Sequence, residues 1–189
     1  MGSAPPTPSR YQAFFCEENV WWLARAPELK DRRRWAAFVS NPERSCAMWC
    51  QKAAPPGQAV LWDYHVVLLV EAGESVEVWD LDCRAGLPLP LGSWVEQTFR
   101  AGVPEQLAPR FRVVSALQLE QLFASDRRHM RDEHGQWRAE PPGWPPIVAR
   151  SGAVHTLDAF VDTLSPGLGE VMSLEQLQGW AARPSARRT

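Results

Sequence analysis

Three short segments put reactive side chains at fixed points of the chain: Phe15-Cys16-Glu17-Glu18-Asn19, Trp62-Asp63-Tyr64-His65-Val66-Val67 and Trp79-Asp80-Leu81-Asp82. A thiol, an imidazole and a carboxylate drawn from distant segments are the parts of a Cys-His-Asp hydrolase: nucleophile, base, and the group that orients the base. A free thiol has a pKa near ~8.5, which a helix N-terminus and a neighbouring imidazolium lower. Cys16 opens a helical pattern and is placed for both effects. The first-turn N–H groups of that helix would form an oxyanion hole.

The elements that must position these groups follow from periodicity. Over residues 16–26 the pattern is helical, with Glu17 and Glu18 in the first turn and Val20, Leu23 and Ala24 on one apolar face. A second helical region is expected, flanked by residues 35–39 and 48–52. Residues 59–70 form a strand-like run of β-branched and aromatic residues, 71–74 a turn, and 75–82 a returning strand. With the turn centred between Ala72 and Gly73, His65 faces Asp80 with Cβ atoms about 5 Å apart. A carboxylate there can accept the imidazole Nδ1–H. A slip of one residue would break the pair, and Asp82 on the same face is the fallback orienter. Residues 111–114 read as a third strand and 115–123 as a helix capped by Ser115. Two short helices, over 156–160 and 173–177, are each opened by a hydroxyl cap. Helices before and after an antiparallel sheet describe an α+β domain, here spanning residues 11–182, with 1–10 and 183–189 as flexible termini.

Composition narrows the function. At 189 residues and 45% hydrophobic, the chain supports one well-packed core. A net charge of −2 argues against a sequence-blind nucleic-acid binder or a basic membrane surface. No apolar run reaches the roughly 18 residues of a membrane span, and the first ten residues lack the apolar core of a secretory signal. Cys16, Cys46, Cys50 and Cys83 are therefore expected as free thiols. Cys46 and Cys50 are spaced as helical neighbours rather than as a CxxC pair, and no metal or other cofactor is expected.

Each residue also has a plainer reading. A lone cysteine is commonly a small core hydrophobe, and a lone strand histidine a structural residue. Glu17 and Glu18 match a helix dipole whether or not they bind anything. Alternation puts Asp63 on the His65 face, in the site or in a structural hydrogen bond. Asp126-Arg127-Arg128-His129 holds too few cations for a nucleic-acid patch and reads as a loop that caps the pocket or braces the sheet, with His129 a lesser candidate for a second catalytic histidine. Trp21, Trp22, Trp62 and Trp79 flank the reactive segments, where core packing is the default and cleft lining the alternative.

Taken as strings, Cys16-Glu17-Glu18-Asn19, Trp62-Asp63-Tyr64-His65-Val66-Val67-Leu68-Leu69 and Asp80-Leu81-Asp82 resemble the protein N-terminal glutamine amidohydrolase family. So do Phe111-Arg112-Val113, Phe123-Ala124-Ser125-Asp126-Arg127-Arg128-His129-Met130 and Gly135-Gln136-Trp137-Arg138, in the same order from about residue 11 to 177. The resemblance implies a papain-like or transglutaminase-like core and a triad of Cys16, His65 and Asp80. It implies hydrolysis of the side-chain amide of an N-terminal glutamine to glutamate, with release of ammonia through a γ-glutamyl thioester. In such pathways the new glutamate can be arginylated, which marks the protein for degradation. The chain departs from the family pattern in its short N-terminus and at Gly167-Leu168-Gly169, where an aromatic is expected between the glycines. That departure bears on one pocket wall.

On this reading Glu17, Glu18 and Asp63 are the carboxylates near enough to pair with the substrate α-ammonium, and Trp62 lines the substrate site. The partners are peptides and proteins beginning with glutamine, not nucleic acid or membrane. The enzyme is expected to be monomeric and cytoplasmic, or nuclear as well in a eukaryote. Two other readings use the same residues: a transglutaminase-like or protease-like thiol acyltransferase, and a catalytically silent module that binds N-terminal residues.

Overall fold

Strand β1 (Arg34–Ser40) is buried along almost its whole length, as is β4 (His65–Ala72), so both must lie inside a sheet covered on its two faces. In the computed structural model, which describes residues 10–184, Ala186 and Arg188, they are the neighbouring central strands of a six-stranded antiparallel sheet. On one side of them lie β5 (Ser75–Trp79) and β6 (Leu89–Pro90), and on the other β7 (Arg110–Ser115) and β8 (Glu170–Ser173). The order is β6-β5-β4-β1-β7-β8. Alternation along the central strands feeds two cores. Phe38, Val66, Leu68 and Val70 pack with α1 (Cys16–Ala24), α3 (Ala116–Leu122) and α4 (Leu157–Val161). Trp35, Val39, Val67 and Leu69 face the other way, toward Trp94 of α2 (Leu91–Thr98) and Trp180 of α5 (Leu174–Ala181). The molecule is therefore α+β, with five α-helices among the described residues.

Several expected elements change. Residues 35–39, expected to flank a helical region, lie in strand β1. Residues 46–48 form β2 (Cys46–Met48), and Cys50 has a left-handed φ of 59°, so Cys46 and Cys50 are not helical neighbours. Trp-Ala-Ala-Phe-Val is apolar on both faces and carries no period to separate helix from strand. Pairing on both edges decides it. The run over 59–70 is two strands: β3 (Val60–Trp62) pairs with β2 in a separate small sheet, and β4 begins at His65. Between them the Asp63 carboxylate accepts the Tyr64 N–H at 2.9 Å, a local bond that turns the chain out of the first ladder.

The returning strand stops at Trp79, and its register pairs Leu68 with Trp79 and Ala72 with Ser75, two residues from the expected alignment. A slip of two preserves the face. Ser115 and Ser173 cap α3 and α5 through full capping boxes, as expected, but Thr156 does not cap α4. Its hydroxyl accepts from the Ala124 N–H at 2.8 Å and donates to the Leu122 carbonyl at 2.9 Å. The termini expected to be flexible fall largely outside the described residues. Within them, Arg188 is buried and pairs with Glu71 at 3.0 Å.

Gly167-Leu168-Gly169 does not shape the cavity described below. Buried Arg112 of β7 donates to the carbonyls of Asp162 (2.6 Å), Leu168 (2.6 Å) and Ser165 (2.8 Å), drawing this loop onto the sheet. Gly169 has φ +61°, and a Cβ there would lie 2.0 Å from the Val113 carbonyl oxygen. Gly169→Ala is expected to destabilise the fold by about 2–4 kcal/mol, read as a lower midpoint in urea unfolding.

Candidate active site

Cys16 is the first residue of α1, and the segment ahead of it is strapped to the helix. The Asn19 side chain accepts from the Gln12 N–H and donates to the Gln12 carbonyl, both at 2.8 Å. This fixes the helix start against β4, whose first residue is His65. His65 is 1% exposed, its Nε2 lies 2.9 Å from Asp80 Oδ1, and its ring is stacked on Trp62 with centroids 5.6 Å apart. The expected pair forms, but through the other ring nitrogen. Nε2 rather than Nδ1 meets the carboxylate, which leaves Nδ1 for a nucleophile. Asp80 lies past the end of β5, so a loop rather than a ladder position delivers it.

Asp80 collects four donors. Besides His65 they are Gln51 Nε2 at 3.0 Å, Trp94 Nε1 at 3.0 Å and the Asp82 N–H at 3.1 Å. Burial alone would raise its pKa, but His65 and these donors hold it down at about 2. Burial likewise opposes a charged His65, yet Asp80 outweighs it and the imidazole pKa is raised. The thiol departs from expectation. Burial, then the negative charges of Glu17 and Asp82, push Cys16 well above the ordinary thiol range, although the Val66 N–H works the other way.

Cys16 and His65 share the wall of a cavity of about 490 Å³ with Trp62, Asp63, Tyr64, Asp82 and His129, while Phe14, Leu61, Met130, Arg44 and Arg138 stand around them. Asp80 sits behind His65, off the wall. Of the four tryptophans beside the reactive segments, Trp62 alone lines the cavity. Trp21 and Trp79 are core residues and Trp22 packs against the core. Asp63 is on the wall and exposed.

Glu17 and Glu18 are completely buried, and neither lines the cavity. Glu18 takes a two-pronged ion pair from Arg127, Nε at 2.7 Å and Nη2 at 2.8 Å, and a third bond from Trp144 Nε1 at 2.7 Å. Arg127 is itself held in the left-handed region at φ 64°. The loop of residues 125–130 thus both braces α1 and faces the cavity, through His129 and Met130. Arg127→Ala would leave Glu18 buried without its cation. We expect a loss of about 3–5 kcal/mol in chemical denaturation, beyond what a surface arginine would cost. Glu17 lies beneath Cys16, with Oε2 3.7 Å from Sγ and Oε1 3.4 Å from His129 Nε2. His129 in turn meets the Tyr64 hydroxyl at 3.0 Å.

Gln51, Trp94 and Tyr11, whose hydroxyl donates to Asp82, are functional neighbours that no sequence pattern announced. Each reaches the site from a different element. Among the described residues one cluster could in principle ligate a metal, His65 with Asp80 and Asp82. Its donors are largely committed: Nε2 of His65 to Asp80, Asp80 to four donors, and one Asp82 oxygen to Tyr11.

The family description "N-terminal glutamine amidase" matches residues 11–181. A Bos taurus protein named "Protein N-terminal glutamine amidohydrolase" is 35% identical over 183 residues, covering 91% of this chain and 88% of its own. Proteins of the same name from Arabidopsis thaliana and Homo sapiens are 35% and 34% identical, covering 89% and 91% of this chain and 90% and 89% of their own. With nearly the whole chain matched on both counts, the protein belongs to the N-terminal glutamine amidase family.

Proposed function

We propose that this protein hydrolyses the side-chain amide of an N-terminal glutamine in peptides and proteins, giving glutamate and ammonia, with Cys16 as nucleophile, His65 as base and acid, and Asp80 as the orienting carboxylate. The observation that carries this reading is the convergence of Cys16 and the Asp80-held His65 on one cavity, in a chain of this family. The environment of Cys16 favours a resting thiol, so its proton passes to His65 as Sγ attacks the glutamine Cδ. Free N–H groups at the start of α1 stabilise the developing oxyanion. His65 then protonates the departing nitrogen, ammonia leaves, and a γ-glutamyl thioester remains on Cys16. Water deprotonated by His65 attacks the thioester, releasing glutamate and restoring the thiol.

A papain-like or transglutaminase-like core fits a helix-borne cysteine set against a strand histidine and a following aspartate. We take residues 11–182 as one amidohydrolase domain, acting as a monomer. All four cysteines are free, which fits a reducing compartment such as the cytoplasm, where the new N-terminal glutamate would feed a degradation signal.

The test is mass spectrometry of matched peptides that begin with Gln, begin with Asn, or carry Gln internally, with ammonia measured in parallel. Conversion of the Gln-first peptide alone, with stoichiometric ammonia, is expected. Backbone cleavage or transfer to an added amine would support a protease or acyltransferase instead, and binding without turnover a silent module.

A further inference from the structure

The reaction proposed above brings one obligatory positive charge into the cavity: the α-ammonium of the first residue, a few bonds from the carbon that Cys16 attacks. Removing an ammonium from water is costly unless a carboxylate meets it. Four acidic side chains near Cys16 are available, and their surroundings separate them. Glu18 is consumed by Arg127 and Trp144. Glu17 is sealed beneath Cys16 and does not reach the wall. Asp63 is exposed to water, and one of its oxygens holds the Tyr64 N–H.

Asp82 is different. It lies on the cavity wall yet is only 8% exposed, and its carboxylate is within 4.8 Å of the ligating atoms of both His65 and Asp80. One oxygen accepts the Tyr11 hydroxyl, and among the described residues no donor meets the other. Tyr11 remains a donor because burial and the Asp82 carboxylate raise its pKa. Among the described residues, no cation forms a direct ion pair with Asp82. Lys52 gives its ammonium to the Leu81 carbonyl at 2.7 Å, Arg44 pairs with Asp158 at 3.9 Å, and neither these nor Arg138 forms an ion pair with Asp82.

We propose that Asp82 is the anchor for the substrate α-ammonium and that Tyr11 is the positioning residue that aims it. Selectivity for the chain terminus then follows from charge. An internal glutamine offers a neutral amide where the ammonium belongs, so its entry leaves a buried carboxylate unpaired. This assignment rests on the amidohydrolase reading and adds the group that enforces its substrate class.

Two peptides discriminate: one beginning with glutamine, and the same peptide with the α-amino group of that residue replaced by hydrogen. The readout is the ratio of their kcat/KM values in the wild type, Asp82→Asn and Tyr11→Phe. A large wild-type ratio in favour of the Gln-first peptide is expected. Asp82→Asn should shrink that ratio on the order of 100-fold, mainly through KM, and Tyr11→Phe should shrink it about 10-fold.

An unchanged ratio in Asp82→Asn, whether or not both rates fall together, would overturn the anchor and leave Asp82 acting through the His65–Asp80 pair or not at all. If Asp82→Asn fails to fold, an unchanged ratio in Tyr11→Phe does the same. A wild type that converts both peptides equally would overturn the anchor while the amidohydrolase reading stands. A wild type that converts neither would overturn the reading itself and the anchor with it.

Discussion

Cys16→Ala is expected to reduce conversion of a Gln-first peptide on the order of 10⁵-fold or more while leaving the fold nearly intact. Removing the nucleophile of a unit that works together abolishes covalent catalysis and leaves only binding and oxyanion stabilisation. The structural cost is small because the side chain is short and sits at a helix start; about 1 kcal/mol is expected. Mass spectrometry of the product against the thermal midpoint by circular dichroism checks both halves. Residual activity near the wild-type level would demand another nucleophile, and the remaining thiols are poor candidates. Cys46 and Cys83 are buried, held up at about 12, and absent from the cavity wall, as is Cys50.

The second large effect is expected at Asp80. In Asp80→Asn the carbonyl can still accept from Gln51 and Trp94, which should hold the loop in place although the bond from the Asp82 N–H is lost. The new side-chain amide would instead donate to His65 Nε2, trapping the proton on Nδ1, the nitrogen that must receive it from Cys16. A loss of about 10⁴-fold in kcat is expected from this wrong tautomer.

The pH profile supplies an independent sign. In the wild type, Asp80 raises the pKa of His65 against the opposing effect of burial. Removing that charge lowers the imidazole pKa, although Asp82 and Glu17 still act to raise it, and the acidic limb of kcat/KM, set by protonation of the base, should move to lower pH. A profile shifted the other way would mean that Asp80 does not control the imidazole. An unshifted profile with an intact rate would remove Asp80 from the mechanism.

The reactive segments were legible because residue type and face are local properties. A cysteine before an amphipathic stretch, and a histidine and aspartate on returning apolar runs, can be read with no knowledge of what packs against them. The His65–Asp80 contact forms despite a register two residues from the expected one, because Asp80 lies beyond the end of β5 and the loop after it brings the carboxylate to the imidazole. Ser115 and Ser173 were legible as local features, since a capping box closes within one turn of helix.

What failed was non-local. β1 reads as readily as helix because both of its faces are apolar, and only pairing with β4 and β7 makes it a strand. The split between β3 and β4 depends on one Asp63 side chain choosing its neighbour's N–H over the ladder. Sequence alone thus determined the family and which residue types stand at the start of α1, on β4 and after β5. The tertiary structure decided which nitrogen of His65 meets Asp80, that Glu18 is spent on Arg127 while Asp82 takes the Tyr11 hydroxyl, and that burial and negative neighbours raise the pKa of Cys16. Those outcomes depend on donors and charges from Gln51, Trp94, Tyr11 and Arg127, which come near only when the sheet closes. Hydrophobic periodicity records which face a side chain occupies; electrostatics and hydrogen bonding depend on who is opposite.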